Sequence, residues 1–203
     1  MNDDLRIFSV DLETSGLDPD RHEILSIGIV DLTIGSRFYK EIYHDDLYVN
    51  VDALEINDFD LSQRQNRLSQ EIVFDKLEQY MIKQLSWYKN DEKYTPKTAI
   101  LLGLNPTFDL NFLRAKWGKF LKSDFVFSHR VIDLNSIFVY LDNAFGIPPG
   151  HNNHRQYVDK DVKKRILQKE GEGVLVKHNA FNDAIWNVYA WKRCIEILKG
   201  CPE

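Results

Sequence analysis

Cysteine is scarce in this chain. The two among its 203 residues, Cys194 and Cys201, have no metal-ligand spacing and make a poor disulfide framework. A reducing, cytoplasmic setting is the expectation. No apolar run approaches the ~18 uninterrupted residues of a membrane span, so no membrane partner is expected. The opening residues, MNDDLRIF, are acidic and lack a signal-peptide layout. There is no internal repeat and no low-complexity linker. Nor is there an excess of positive charge: 26 Lys and Arg stand against 31 Asp and Glu, a net of −5. That excludes a generally basic nucleic-acid binder. It leaves room for an enzyme that holds nucleic acid through metal ions.

Apolar residues make up 43% of the chain and aromatic residues 12%, which marks a globular protein. The length suits one domain, 1–203, with a sizeable core. Residues 5–10, 22–32 and 36–43 read as strands separated by short turns, an antiparallel meander. Residues 68–87 carry apolar side chains at helical spacing: Ile72, Val73, Leu77, Tyr80 and Met81. TAILLGL, residues 98–104, is an apolar run of the kind found in central strands. A helix over 106–121, a strand over 125–132 and a helix over 134–145 are expected next. That helix is closed by Gly146 and Pro148. A basic, helical stretch is expected over 159–169, then a loop at 171–173 and a last helix over 180–198. The pattern predicts an α/β fold: a mixed five-stranded sheet, meander plus parallel strands, with helices on both faces.

The first strand ends in DLETSGLD, which places Asp11 and Glu13 one residue apart. In a strand they share a face, and like charges so placed repel. Two further acids answer them. In LLGLNPTFDLNFL, Asn105 is expected to cap a helix with Pro106 at its first position, and Asp109 follows in the first turn. In KHNAFNDA, Asn179 is again an expected cap and Asp183 again lies four residues on. Both carboxylates would point back toward a sheet end. Four converging carboxylates cannot all stay ionised without cations. Hard oxygen ligands suit Mg²⁺ or Mn²⁺, and two ions ~3.5–4 Å apart serve in-line attack on a phosphodiester. His178 precedes its cap, so it can lean over the same site and take a proton from water.

Asp11-Leu12-Glu13, then Asp109, then His178-x4-Asp183 resemble the three motifs of the DEDDh 3′–5′ exonucleases, the superfamily of proofreading-subunit, ribonuclease T and oligoribonuclease types. The resemblance covers almost the whole chain. It implies an RNase H-like fold and release of nucleoside 5′-monophosphates from the 3′ end of DNA or RNA. It implies two Mg²⁺ or Mn²⁺ ions, with Asp11 bridging both. Glu13 and Asp183 would complete the water-activating site, Asp109 would hold the second ion, and His178 would be the general base. It also implies substrate contacts from Thr14, through its backbone, and from Leu17, as an apolar wedge. Residues 53–58, ALEIND, resemble a base-pocket segment, with Ile56 and Asn57 as the contacts. Two departures stand out. Leu104 occupies a position where many members carry histidine, and residues 145–174 match nothing familiar.

Other readings compete. A catalytically silent nucleic-acid-binding subunit could share the fold, as could a small-nucleotide phosphodiesterase. A homodimer or a polymerase-type partner is compatible with the family. His129 and Asp133 form an H-x3-D pair, although an aspartate after the second motif is commonly structural. His151 and His154 sit in a polar loop and are not expected to bind metal. Lys160, Lys163, Lys164, Arg165 and Lys169 form the densest basic cluster, either a solvated face or a phosphate-tracking surface.

Overall fold

The computed structural model describes residues 6–53, 67–86, 99–145 and 179–200. Ile56, Asn57, His151, His154, the basic cluster, the expected helix over 159–169 and His178 lie outside these residues.

Five strands form one sheet: β1 (Arg6–Thr14), β2 (Ile24–Asp31), β3 (Arg37–Glu41), β4 (Ala99–Gly103) and β5 (Phe127–Asp133). Their spatial order is β3-β2-β1-β4-β5. The meander pairs antiparallel, β1 with β2 and β2 with β3. β4 joins β1 in parallel and β5 joins β4 in parallel. β1 is therefore central. It is flanked by a strand on each side and covered on both faces, which explains its apolar sequence. The described helices are α1 (Gln70–Ser86), α2 (Pro106–Phe120), α3 (Leu134–Phe145) and α4 (Ala180–Lys199). The mixed sheet with helices on both faces is thus as expected.

Period-two alternation divides the sheet between two cores. Phe8, Val10, Leu12, Ile27, Ile29 and Leu101 face α1 and α2, where they meet Phe74, Leu77, Leu113 and Trp117. Ile7, Val30, Ile100 and Leu102 face α3 and α4, where they meet Phe138, Leu141, Ile185 and Val188. At the sheet end away from Glu13, buried Arg6 pairs with buried Asp31.

β1 runs further than its apolar stretch predicts. It extends through Asp11 and Glu13 to Thr14, because β2 supplies backbone partners that far, Glu13 opposite Ser26 and Thr14 opposite Ile24. The pairing skips Leu25, a bulge beside the acids. With β4, by contrast, β1 pairs only from Arg6 to Ser9. Beyond Ser9 its β4-side edge has no strand partner, and that opening is where α2 begins.

Candidate functional site

Ser9, Asp11 and Glu13 alternate onto the α4 face of β1. Ser9 anchors the helix there: its Oγ donates to the carbonyl of Ala184 at 2.7 Å. Asp11 lies opposite Gly28 of β2, and Gly28 lets the helix start close in. A Cβ at position 28 would lie 2.1 Å from the carbonyl oxygen of Ala180. The first turn of α4 therefore rests on bare backbone beside Asp11. Asn179 caps that turn as expected, with its side-chain oxygen accepting from the N–H groups of Phe181 and Asn182 at 3.1 and 3.2 Å.

With the helix start so placed, ligand oxygens of Asp11, Glu13 and Asp183 all lie within 4.8 Å of one another. Asp109 enters from the opposite core, through the gap between β1 and β4. It is 5% exposed. Burial pushes its carboxyl up to about 8, against the opposing pull of the backbone N–H groups of Leu12 and of Asp109 itself. The Leu12 N–H is free for this bond because β4 has stopped pairing three residues earlier. Glu13, 6% exposed, is also pushed up to about 8, first by burial and then by Asp183 and Asp109. Asp11 is raised well above the usual carboxylate range by burial, then by Asp109, Asp183 and Glu13. Mutual effects of this kind place all four acids in one electrostatic cluster.

An all-carboxylate donor set, crowded enough to hold protons near neutrality, fits a hard divalent cation. A cation displaces those protons and removes the repulsion. The residues present therefore suit a divalent metal site of the kind that the sequence resemblance implies.

Asn105 departs from expectation. It occupies the N-cap position ahead of Pro106, and its carbonyl accepts the Phe108 N–H at 3.0 Å, but its side chain makes no capping bond and its backbone is left-handed at φ 54°, ψ 51°. Asparagine tolerates that conformation better than most residues. Asp133 takes part in holding it. One carboxylate oxygen accepts the N–H of Asn105 and that of Asn135, each at 3.1 Å, and the other accepts the Ser136 hydroxyl at 2.7 Å. Asp133 thus caps α3 and braces the turn into α2, a structural task. His129 lies exposed on β5, an edge strand, four residues before Asp133 and so about 13 Å along the strand from it.

Thr14 and Leu17 flank the acids. The Thr14 hydroxyl donates to the carbonyl of Gly16 at 2.7 Å, which shapes the turn that presents Leu17. Leu17 is 76% exposed. Sequence reasoning missed Tyr39. It sits on β3 opposite Gly28, donates to Glu41 at 2.7 Å and accepts from the Asn179 amide at 3.2 Å. Burial and the neighbouring Glu41 raise its phenol above the usual range, so it stays a donor. The chain Glu41–Tyr39–Asn179 pins the cap of α4. Its one sequence signal is strand alternation, which puts Tyr39 on a face without saying what it meets.

Comparison with known proteins agrees with this geometry. No curated protein sequence matches the chain. Among solved structures, cell-death related nuclease 4 (CRN-4) superposes with a TM-score of 0.61 at 12% identity, covering 95% of this chain and 64% of that one. Exonuclease I from Methylocaldum szegediense also gives 0.61, at 13% identity, covering 95% of this chain and 40% of that one. The chain thus spans less than two thirds of each of these proteins. At such identities the likeness is one of fold, and the fold is RNase H-like. A family model, the 3′–5′ exoribonuclease Rv2179c-like domain, matches residues 6–195. The chain belongs to the Rv2179c-like 3′–5′ exoribonuclease domain family.

Proposed function

We propose that the chain is a metal-dependent 3′–5′ exonuclease of the DEDDh type, a single domain over 1–203, acting on the 3′ end of single-stranded RNA. The observation that carries this reading is the approach of Asp11, Glu13 and Asp183 oxygens to within 4.8 Å of one another. The family description supports RNA over DNA.

Asp11, Glu13 and Asp183 would hold one Mg²⁺ or Mn²⁺ ion, and Asp11 with Asp109 a second. When bound, the ions supply Lewis acidity, easing deprotonation of water and offsetting charge on the phosphate. The protein's own residues do the rest. Leu17 would press on the terminal base and the Thr14 backbone would hold its nucleotide, with Ile56 and Asn57 lining the pocket. An imidazole nitrogen of His178, next in sequence to the cap of α4, would accept a proton from the attacking water. The new O–P bond forms as the bond from phosphorus to the 3′ oxygen breaks, releasing a nucleoside 5′-monophosphate. A catalytically silent subunit would have no physical use for carboxylates held at such electrostatic cost. No described helix is long and apolar enough to cross a membrane. The buried, free Cys194 is compatible with a reducing, cytoplasmic setting.

The test is an oligonucleotide panel resolved by product length. Activity is expected with Mg²⁺ or Mn²⁺, to vanish on chelation and to return on metal addition. A bulky 3′ block should protect the strand, whereas a 5′ block should not. Full activity in excess chelator, or cutting of closed circles, would overturn the reading.

A further inference from the structure

Two loops beside the site hold a large aromatic ring in solvent. Tyr48 is 58% exposed, and Leu17 and Val51 beside it in these loops are 76% and 67% exposed. The loops are tied to the end of β1. The Ser15 hydroxyl donates to the carbonyl of Tyr48, and the Asn50 N–H donates to the carbonyl of Ser15, both at 2.8 Å. Ser15 directly follows Thr14, so the backbone of Tyr48 is held to the strand end that carries Glu13.

The ring is also oriented. The His22 ring lies 5.3 Å away, centroid to centroid, tilted by 42°. Buried His22 is itself fixed against Gly16, where a Cβ would meet its ring at 2.2 Å. The Arg21 guanidinium carbon stands 5.0 Å from the Tyr48 centroid, and its Nη2 donates to the Tyr48 hydroxyl at 3.0 Å. Ordering an exposed side chain costs conformational entropy, and burial does not compensate Tyr48 for it. Such a ring is pre-organised for an outside partner.

Charge narrows the partner. Asp18, Asp20, Asp45, Asp46 and Asp52 are exposed on the same two loops. They repel phosphates and acidic peptides, so the loops do not track a nucleic-acid backbone. Arg21 is the one exposed cation described on these loops, and it is engaged with the Tyr48 ring and hydroxyl; an aromatic ring so held beside a nuclease site matches the π-face of an unpaired base.

We propose that Tyr48, oriented by Arg21 and His22, is a stacking platform for a base upstream of the terminal nucleotide. The proposal rests on the exonuclease reading. It makes the enzyme selective for single strands, since a paired and stacked base has no free face. It also gives a subsite that works by stacking and not by charge.

The experiment uses the full chain carrying Asp11→Asn, which holds the strand without consuming it. Single-stranded oligoribonucleotides carry 2-aminopurine at successive positions from the 3′ end. Quenching is expected at one upstream position. Tyr48→Ala should abolish that quench and weaken oligonucleotide binding roughly 5- to 100-fold. Tyr48→Phe and Tyr48→Trp should keep both. The loss should be equal at low and high salt, because no ion pair is involved. Tyr140→Ala, which removes a tyrosine 64% exposed on α3, should behave as the parent. A loss that shrinks with salt would mark a charge contact and overturn the stacking proposal. Wild-type protein that trims no oligonucleotide overturns the exonuclease reading and the platform with it. Trimming without any Tyr48-dependent quench or affinity overturns the platform alone.

Discussion

Replacing Glu13 with glutamine should stabilise the metal-free protein while destroying its activity. In the fold the Glu13 carboxyl is pushed up to about 8 from its ordinary 4.5. A carboxyl raised on folding contributes stability fully present below its unfolded value. That contribution is lost as pH rises toward the folded value, here between about 4.5 and 8. At ~1.4 kcal/mol per pKa unit, the 3.5 units between 4.5 and 8 correspond to about 5 kcal/mol. The carboxyls share their protons, so their separate shifts do not add. Part of the repulsion relaxes, and about 2–5 kcal/mol is a fair working range. For a chain of this length, ~1 kcal/mol moves Tm by about 2–4 °C. In chelator, the wild-type Tm should therefore fall by roughly 5–15 °C between pH 5 and pH 8.5. Glu13→Gln removes this charge at similar shape, so its Tm should fall less, and at pH 8.5 it should exceed wild type. Adding Mg²⁺ or Mn²⁺ should raise the wild-type Tm most at high pH, by about 2.7 kcal/mol equivalent at a hundredfold excess over Kd. Taking wild type minus variant cancels the histidines and other groups common to both. Thermal unfolding followed by circular dichroism across this pH range measures it. A variant that is less stable than wild type at pH 8.5 in chelator would refute the reasoning. So would a wild-type Tm that climbs with pH.

Three more outcomes are expected. His178→Ala should lower kcat by about 10²–10⁴-fold and remove the acid limb of the pH–rate profile, with metal affinity nearly unchanged; an unchanged limb would assign the base elsewhere. Gly28→Ala puts a Cβ 2.1 Å from the Ala180 carbonyl oxygen and so must move the start of α4. It should cost about 1–3 kcal/mol in denaturant unfolding, and roughly 10²-fold in kcat through a displaced Asp183; wild-type behaviour would mean that α4 has slack. Asn179→Ala should cost ~1 kcal/mol of stability through the lost cap. Asn179→Ser should restore most of that but not the bond that the Asn179 amide donates to Tyr39, and equal losses in the two variants would make Tyr39 the more important partner.

Some of the site is local and therefore legible. Alternation puts Asp11 and Glu13 on one face of β1 whatever surrounds them, and Asn179 caps α4 with atoms two and three residues away. Each depends on neighbours within one turn or one strand. The same Asn-x-x-x-Asp pattern marks the helix start at Asn105 but not its conformation: the Asn105 N–H is held by Asp133 of β5, and the left-handed residue makes no side-chain capping bond. The reach of β1 to Thr14 was also hidden, since its partners lie on β2. Read by itself, the chain determines which four acids are available and in what local geometry, and its motifs resemble those of the 3′–5′ exonucleases. Only the tertiary structure brings the acids together. It stops β1–β4 pairing at Ser9, so that Asp109 can reach the Leu12 N–H. It seats α4 on Gly28 and locks its cap through Tyr39 and Glu41. Apart from the Tyr39–Glu41 bond, those contacts join residues about a hundred or more positions apart. They are set by which strands pair and where the pairing ends, and periodicity within one segment carries no information about that.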